Sequence, residues 1–97
     1  SQRVIGLHAS RAIIDLLSIY LIKRNLISTG MKINHRWFKS EKVNENLPEF
    51  DKKEEICSKI TKLELLCEDL TYGAPKTEEK INEALELFNK LEGELNG

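Results

Sequence analysis

The chain has 97 residues, 40% of them hydrophobic and 32% charged, with a net charge of -1. That size allows one domain, residues 1–97, and the balanced charge lacks the overall basic excess of a nucleic-acid binder. Five Gly and two Pro leave little turn-forming material, which argues for a few long elements and against many short strands.

The spacing predicts a first helix over Arg3–Ile27. Ile5, Ala9, Ala12, Ile13, Leu16, Ile19, Tyr20 and Leu21 make one apolar row, and Leu7, Ile14, Leu17 and Ile22 make a second. Together they exceed the one-sided stripe of an ordinary surface helix. The helix is therefore expected either to be central in a bundle or to offer its second face to another chain, with Ile14, Leu17 and Leu21 as contact residues. Arg11, Asp15 and Ser18 form one polar ridge, and Arg11 and Asp15 are placed for an i, i+4 ion pair. His8 falls within the apolar rows and reads as structural. The run Ala12–Ile22 contains Asp15 and Ser18 and reads as too short and too polar to span a bilayer; no signal peptide is evident, so a cytoplasmic protein with no membrane partner is expected. The chain starts at Ser1 without a Met, which fits a processed or truncated end.

Ser28-Thr29-Gly30 interrupts the pattern. Met31–Lys42 reads as a short helix, since a lone strand would have nothing to pair with. It carries His35-Arg36-Trp37-Phe38, a titratable group and a cation beside two aromatics. This composition suits a partner-binding patch centred on Trp37, Phe38 and Arg36, or an aromatic plug for the end of the bundle. Lys32, Arg36 and Lys39 around Trp37 also give a local basic patch of the kind that holds RNA.

Val43–Phe50 reads as a loop. Asp51 as N-cap and Glu54 three residues on then announce a helix over Lys52–Tyr72, with Ile56, Ile60, Leu63, Leu66, Cys67 and Leu70 at helical period. Gly73 is expected to end it in a left-handed cap. Glu68 and Asp69 stand at its C-terminal end, where the helix dipole disfavours anions. Thr77 caps the last helix, whose stripe is Ile81, Ala84, Leu85, Phe88, Leu91 and Leu95, while Lys90 and Glu94 are expected to face solvent. The short connection at residues 72–75 makes these two helices a hairpin. The expected fold is all-α, an antiparallel four-helix up-and-down bundle of three long helices and one short one.

Cys57 and Cys67 lie on one helix about 15 Å apart, too far for a disulfide, and read as buried apolar residues of a reducing compartment. No metal-ligand spacing, phosphate loop or dinucleotide fingerprint is present, and no metal or cofactor is expected. The polar residues from which acid–base chemistry would have to be built are His35, Arg36, Arg11, Asp15, Tyr72 and Glu68.

The order of features resembles one family. A long apolar helix with Tyr20-Leu21-Ile22 near its end is followed by Gly30, by Asn34-His35-Arg36-Trp37-Phe38, and by a helical hairpin whose turn begins Leu70-Thr71-Tyr72-Gly73. This is similar to the HEPN superfamily of small helical bundles, many of them prokaryotic. The resemblance covers most of the chain and implies a four-helix bundle that forms homodimers. It also implies as partners a small nucleotidyltransferase-type protein or, in toxin and defence ribonucleases, RNA. Active members carry an Arg about five residues before a His or Tyr late in the bundle. The matching stretch here ends at Tyr72, with Cys67 where the Arg would stand. The resemblance therefore implies a partner-binding member without the complete active site, with a metal-independent ribonuclease or RNA-binding component as the alternative.

Overall fold

The computed structural model describes residues 1–40 and 42–96. Among these residues the fold is all-helical, with no strand. Helix α1 spans Gln2–Lys23, a 3-10 turn spans His35–Lys39, and α2 is the single turn Lys42–Asn46. Helices α3, Lys53–Tyr72, and α4, Glu78–Leu95, follow. Glu41, inside the expected 31–42 element, lies outside the described residues.

Helix α1 packs most extensively on α3 and also on α4, and the 3-10 turn packs on α3. Ala9, Ile13, Leu17, Tyr20 and Leu21 of α1 meet Ile56, Ile60, Leu63, Cys67 and Leu70 of α3 and Ala84, Leu91 and Leu95 of α4 in one continuous core. Both cysteines are buried within it as free thiols. Phe38 and Val43 close one flank, and Tyr20 meets Phe50 edge to face at 6.1 Å between ring centres.

Contacts between α1 and α3 run in opposite chain directions. Gln2 Nε2 donates to the carbonyls of Leu70 and Ala74, and its Oε1 accepts from the Lys76 amide, which ties the α3–α4 connection to the start of α1. One turn on, Gly6 faces Thr71 and Cys67 so closely that a Cβ there would lie 2.6 Å from Thr71 Oγ1 and 2.7 Å from the Cys67 carbonyl. Ser10 then reaches Glu64. A glycine at position 6 thus lets the two helices approach in the segment that brings Ser10 into range.

Several boundaries differ from the sequence reading. α1 ends at Lys23 and not at Ile27. Asn25 turns left-handed (φ 58°), its amide donates to the Ile22 carbonyl, and the Leu26 amide donates to Leu21. This paired closure is the usual one for a helix stopped by a left-handed residue. Among the described residues of 31–42, His35–Lys39 form a 3-10 turn capped by the Asn34 side chain on the Arg36 amide, Lys42 opens α2, and the expected loop 43–50 begins inside α2. Asp51 does not cap α3. Lys52 occupies that place in a left-handed conformation without a side-chain cap, and the Lys53 ammonium turns inward instead. Gly73 is extended (φ -84°), not left-handed. What demands a glycine there is proximity, since a Cβ would sit 2.4 Å from the Asp69 carbonyl. Thr77 does cap α4, accepting from the Lys80 amide. Leu85 is exposed, and Glu94, expected in solvent, pairs with Lys59. Taken whole, α1 is long and apolar enough to cross a membrane by length and composition, although the run 12–22 alone is too short.

Candidate functional site

Helical spacing brings side chains from α1 and α3 to opposite walls of one cleft. Arg11 and Asp15 lie one turn apart on the outer side of α1, and Glu68 and Tyr72 lie one turn apart on α3. The 3-10 turn delivers His35 and Lys39 to the end of the gap. The cleft has a volume of about 860 Å³ and is open to solvent, with Val4, Leu7, Ile14 and Ile33 as its apolar lining.

Its floor holds a buried carboxylate. Glu64 is 2% exposed. Ser10 Oγ lies 2.8 Å from its Oε1 and 3.0 Å from its Oε2, and His35 Nδ1 lies 3.5 Å from Oε2. Burial pushes the Glu64 carboxyl above the usual carboxylate range, because a charge there has lost its water. The Ser10 hydrogen bond and then His35 pull in the other direction. His35 is 52% exposed, so the imidazole approaches the buried carboxylate through Nδ1 while about half of the side chain stays open to solvent. Glu64 thus links a hydroxyl from α1 to an imidazole from the 3-10 turn.

Cys67 adjoins this group. Burial, and then the nearby Glu64 charge, push its thiol up to about 12. It stays protonated at neutral pH and offers no nucleophile, because the thiolate is the reactive form. At the rim, Lys39 pairs with Glu68 at 2.6 Å; beyond the cleft lining, at the end of α3, Lys76 pairs with Asp69 at 3.1 Å. These cations offset the acidic end of α3 that the helix dipole disfavours. Arg11 and Asp15 share the cleft but form no ion pair with each other.

Of the six residues singled out for acid–base chemistry, His35, Arg11, Asp15, Glu68 and Tyr72 line this one cleft. No hydrogen bond joins any of them to another. Arg36 is exposed and lies outside the lining, its amide accepted by Asn34. His8, read as structural, is exposed at the cleft wall. Of the residues expected to contact a partner, Leu17, Leu21 and Phe38 are core residues of the chain itself, so they present no outer surface. Trp37 is half-buried against the core, and Ile14 is half-buried in the cleft wall.

Glu64 and Ser10 were not singled out in the sequence. A signal for Glu64 exists: it continues the buried stripe Ile56, Ile60, Cys67 at helical spacing, where an acid is out of place. No family model, curated protein or solved structure matches the chain.

Proposed function

We propose that this chain is a HEPN-like helical-bundle binding module that pairs with a second copy of itself over the cleft. One observation carries this reading. The mouth of the cleft is bordered by large apolar side chains that the chain leaves uncovered: Val4 at 50% and Leu7 at 47% on α1, and Tyr72 at 78% on α3. Leu65 is exposed two turns before Tyr72 on the same helix, and Ile19 is exposed further along α1. Only 33% of the most apolar stretch of α1 is buried, so the helix carries more apolar surface than its own core uses. Burying such residues against a second copy returns about 25 cal/mol per Å² of apolar area removed from water. The opposed contact order of α1 and α3, and the short 73–77 connection to α4, support an antiparallel up-and-down bundle as the frame. Light scattering over a concentration series up to the order of tens of micromolar tests the pairing. The expected mass is twice the 11.2 kDa of the chain, falling to one chain in Leu7→Lys. A monomer throughout sinks the proposal.

A second reading, a metal-independent ribonuclease, is favoured by a separate observation: an imidazole anchored to a buried carboxylate stands in the same cleft as Arg11 and Tyr72. In that reaction His35 takes the proton of a ribose 2′-hydroxyl as its oxygen bonds to the adjacent phosphorus. The phosphorus–5′-oxygen bond breaks, and the leaving oxygen takes a proton from Tyr72 or from water. Arg11 faces the phosphate charge. Incubation of single-stranded RNA with the protein in EDTA tests it, and intact RNA removes it.

A further inference from the structure

The acid–base reading names His35 but leaves open what would hold it in a working orientation. Asp15 and Glu68, the acids the sequence offers for this task, do not contact it, since Glu68 is engaged with Lys39 and Asp15 touches no cation of the cleft. Glu64 does contact it.

We propose that Glu64 is the positioning residue for His35, with Ser10 as the group that fixes Glu64, and that together they pin the proton of the neutral imidazole on Nδ1 and leave Nε2 as the proton acceptor in the cleft. This inference rests on the acid–base reading above.

The geometry supports each link. Ser10 Oγ lies within hydrogen-bond distance of both carboxylate oxygens, and its single proton serves one of them or is shared between the two. A carboxylate only accepts, and His35 Nδ1 lies 3.5 Å from Oε2, so Nδ1 is the ring nitrogen at which Glu64 attracts a proton. The imidazole is half-exposed, and His35 lines the same cleft as Arg11, Asp15 and Tyr72. A neutral imidazole donates from one nitrogen and accepts at the other, and the hydrogen bond at one nitrogen sets the state of the other. Glu64 is buried and Ser10 is half-buried, so solvent does not compete freely for these bonds. The remaining charged groups that face this centre are Lys39 on the 3-10 turn, Glu68 on α3, and His8, Arg11 and Asp15 on α1. α1 and α3 approach closely at Gly6, one turn before Ser10. Ser10 and Glu64 thus stand on two long helices in close contact, while His35 comes from a short 3-10 turn.

The test reads the ring directly. Long-range proton–nitrogen spectra of the full chain, recorded at a pH where imidazoles are neutral, report which nitrogen of His35 carries the proton. The expected result is a Nδ1–H ring in the parent protein, an unpinned ring in Glu64→Ala and in the milder Ser10→Ala, and partial recovery in Glu64→Gln, whose amide oxygen still accepts. Circular dichroism confirms that each variant is folded. In parallel, cleavage of single-stranded RNA should fall by about 10²-fold in Glu64→Ala and recover in part in Glu64→Gln, the scale on which acid–base groups contribute. A parent ring with its proton on Nε2, or one unaltered by Ser10→Ala and Glu64→Ala, overturns the positioning role alone. A pinned ring in a protein that leaves RNA intact overturns the acid–base reading and the role with it.

Discussion

Helix α3 carries two buried charges on its core-facing side, Lys53 at 7% exposure in its first turn and Glu64 at 2% near its middle, and they are satisfied in opposite ways. Lys53 is closed off. Its ammonium donates to the Leu47 carbonyl at 3.0 Å and to Glu49 at 3.1 Å, both within six residues of it in the chain. It folds the preceding segment back onto the helix. Glu64 draws its partners from elsewhere, Ser10 at a separation of 54 residues and His35 on the 3-10 turn, and it does so at the floor of an open cleft. Burial of an ion is costly wherever it occurs and is tolerated where hydrogen bonds replace the lost water. The difference between the two sites is therefore one of supply. A charge answered by its own neighbours acts as a clamp, whereas a charge answered by a half-exposed titratable group stands beside open space, where the proposed role of Glu64 would be exercised.

The largest effect that sharpens this contrast is expected at the clamp. Lys53→Met keeps the apolar stem and removes the ammonium, which leaves the Leu47 carbonyl without its donor. Loss of a hydrogen bond from a charged group costs about 2 kcal/mol. Denaturant unfolding should show that loss, together with a weakened Tyr20–Phe50 contact as residues 47–52 loosen, and with the His35 environment unaltered. If the variant is as stable as the parent, Lys53 is no clamp and the comparison fails at its structural end.

Much of this fold is written locally. The stripes of α3 and α4 have a clear helical period, Thr77 is a strong cap, and their bounds follow closely. The apolar pattern of α1 extends past its end because Leu26 and Ile27 continue it beyond Asn25, and the left-handed turn at Asn25 outweighs that continuation. Of the cleft, the sequence places Arg11 with Asp15 and Glu68 with Tyr72, one turn apart on each helix. That these two pairs face each other depends on how α1 docks on α3, which hinges on the bare backbone at Gly6. The contact of His35 with Glu64 depends further on the path of residues 24–34, which have no regular structure. Glu64 itself is legible as an acid on an apolar stripe, but its neighbours in the chain supply many other glutamates on solvated faces, and Lys53 hides in the same way.

The functional end of the comparison is sharpened by pH. Glu64 has its carboxyl raised by burial, so the folded chain holds that proton more tightly than the unfolded chain does. Its contribution is fully present below the ordinary carboxylate range and is lost as pH rises through the raised value. Glu64→Gln has no proton to lose. Below the ordinary range the variant and the parent should differ by less than about 1 kcal/mol, since Gln still accepts from Ser10. As pH rises through the window above it, the parent should lose stability relative to the variant. Thermal unfolding at a series of pH values reads this slope, and parallel curves would mean that Glu64 is solvated like any surface acid.

The smallest effect is expected at the rim, and it separates floor from edge. Lys39 pairs with Glu68 at 2.6 Å, but both side chains remain substantially exposed, so water competes for the pair and salt screens it. Exposed pairs of this kind contribute between nothing and about 1 kcal/mol. Lys39→Ala should cost about 0.5 kcal/mol at low salt and less at high salt. It should also leave the ring state of His35 as it is in the parent, because Glu64 and not Lys39 holds that imidazole. A loss of about 2 kcal/mol or more, or a change in the proton position on His35, would place Lys39 inside the buried network. The pair at the edge would then hold the short 3-10 turn as firmly as the contact of His35 with Glu64 at the floor.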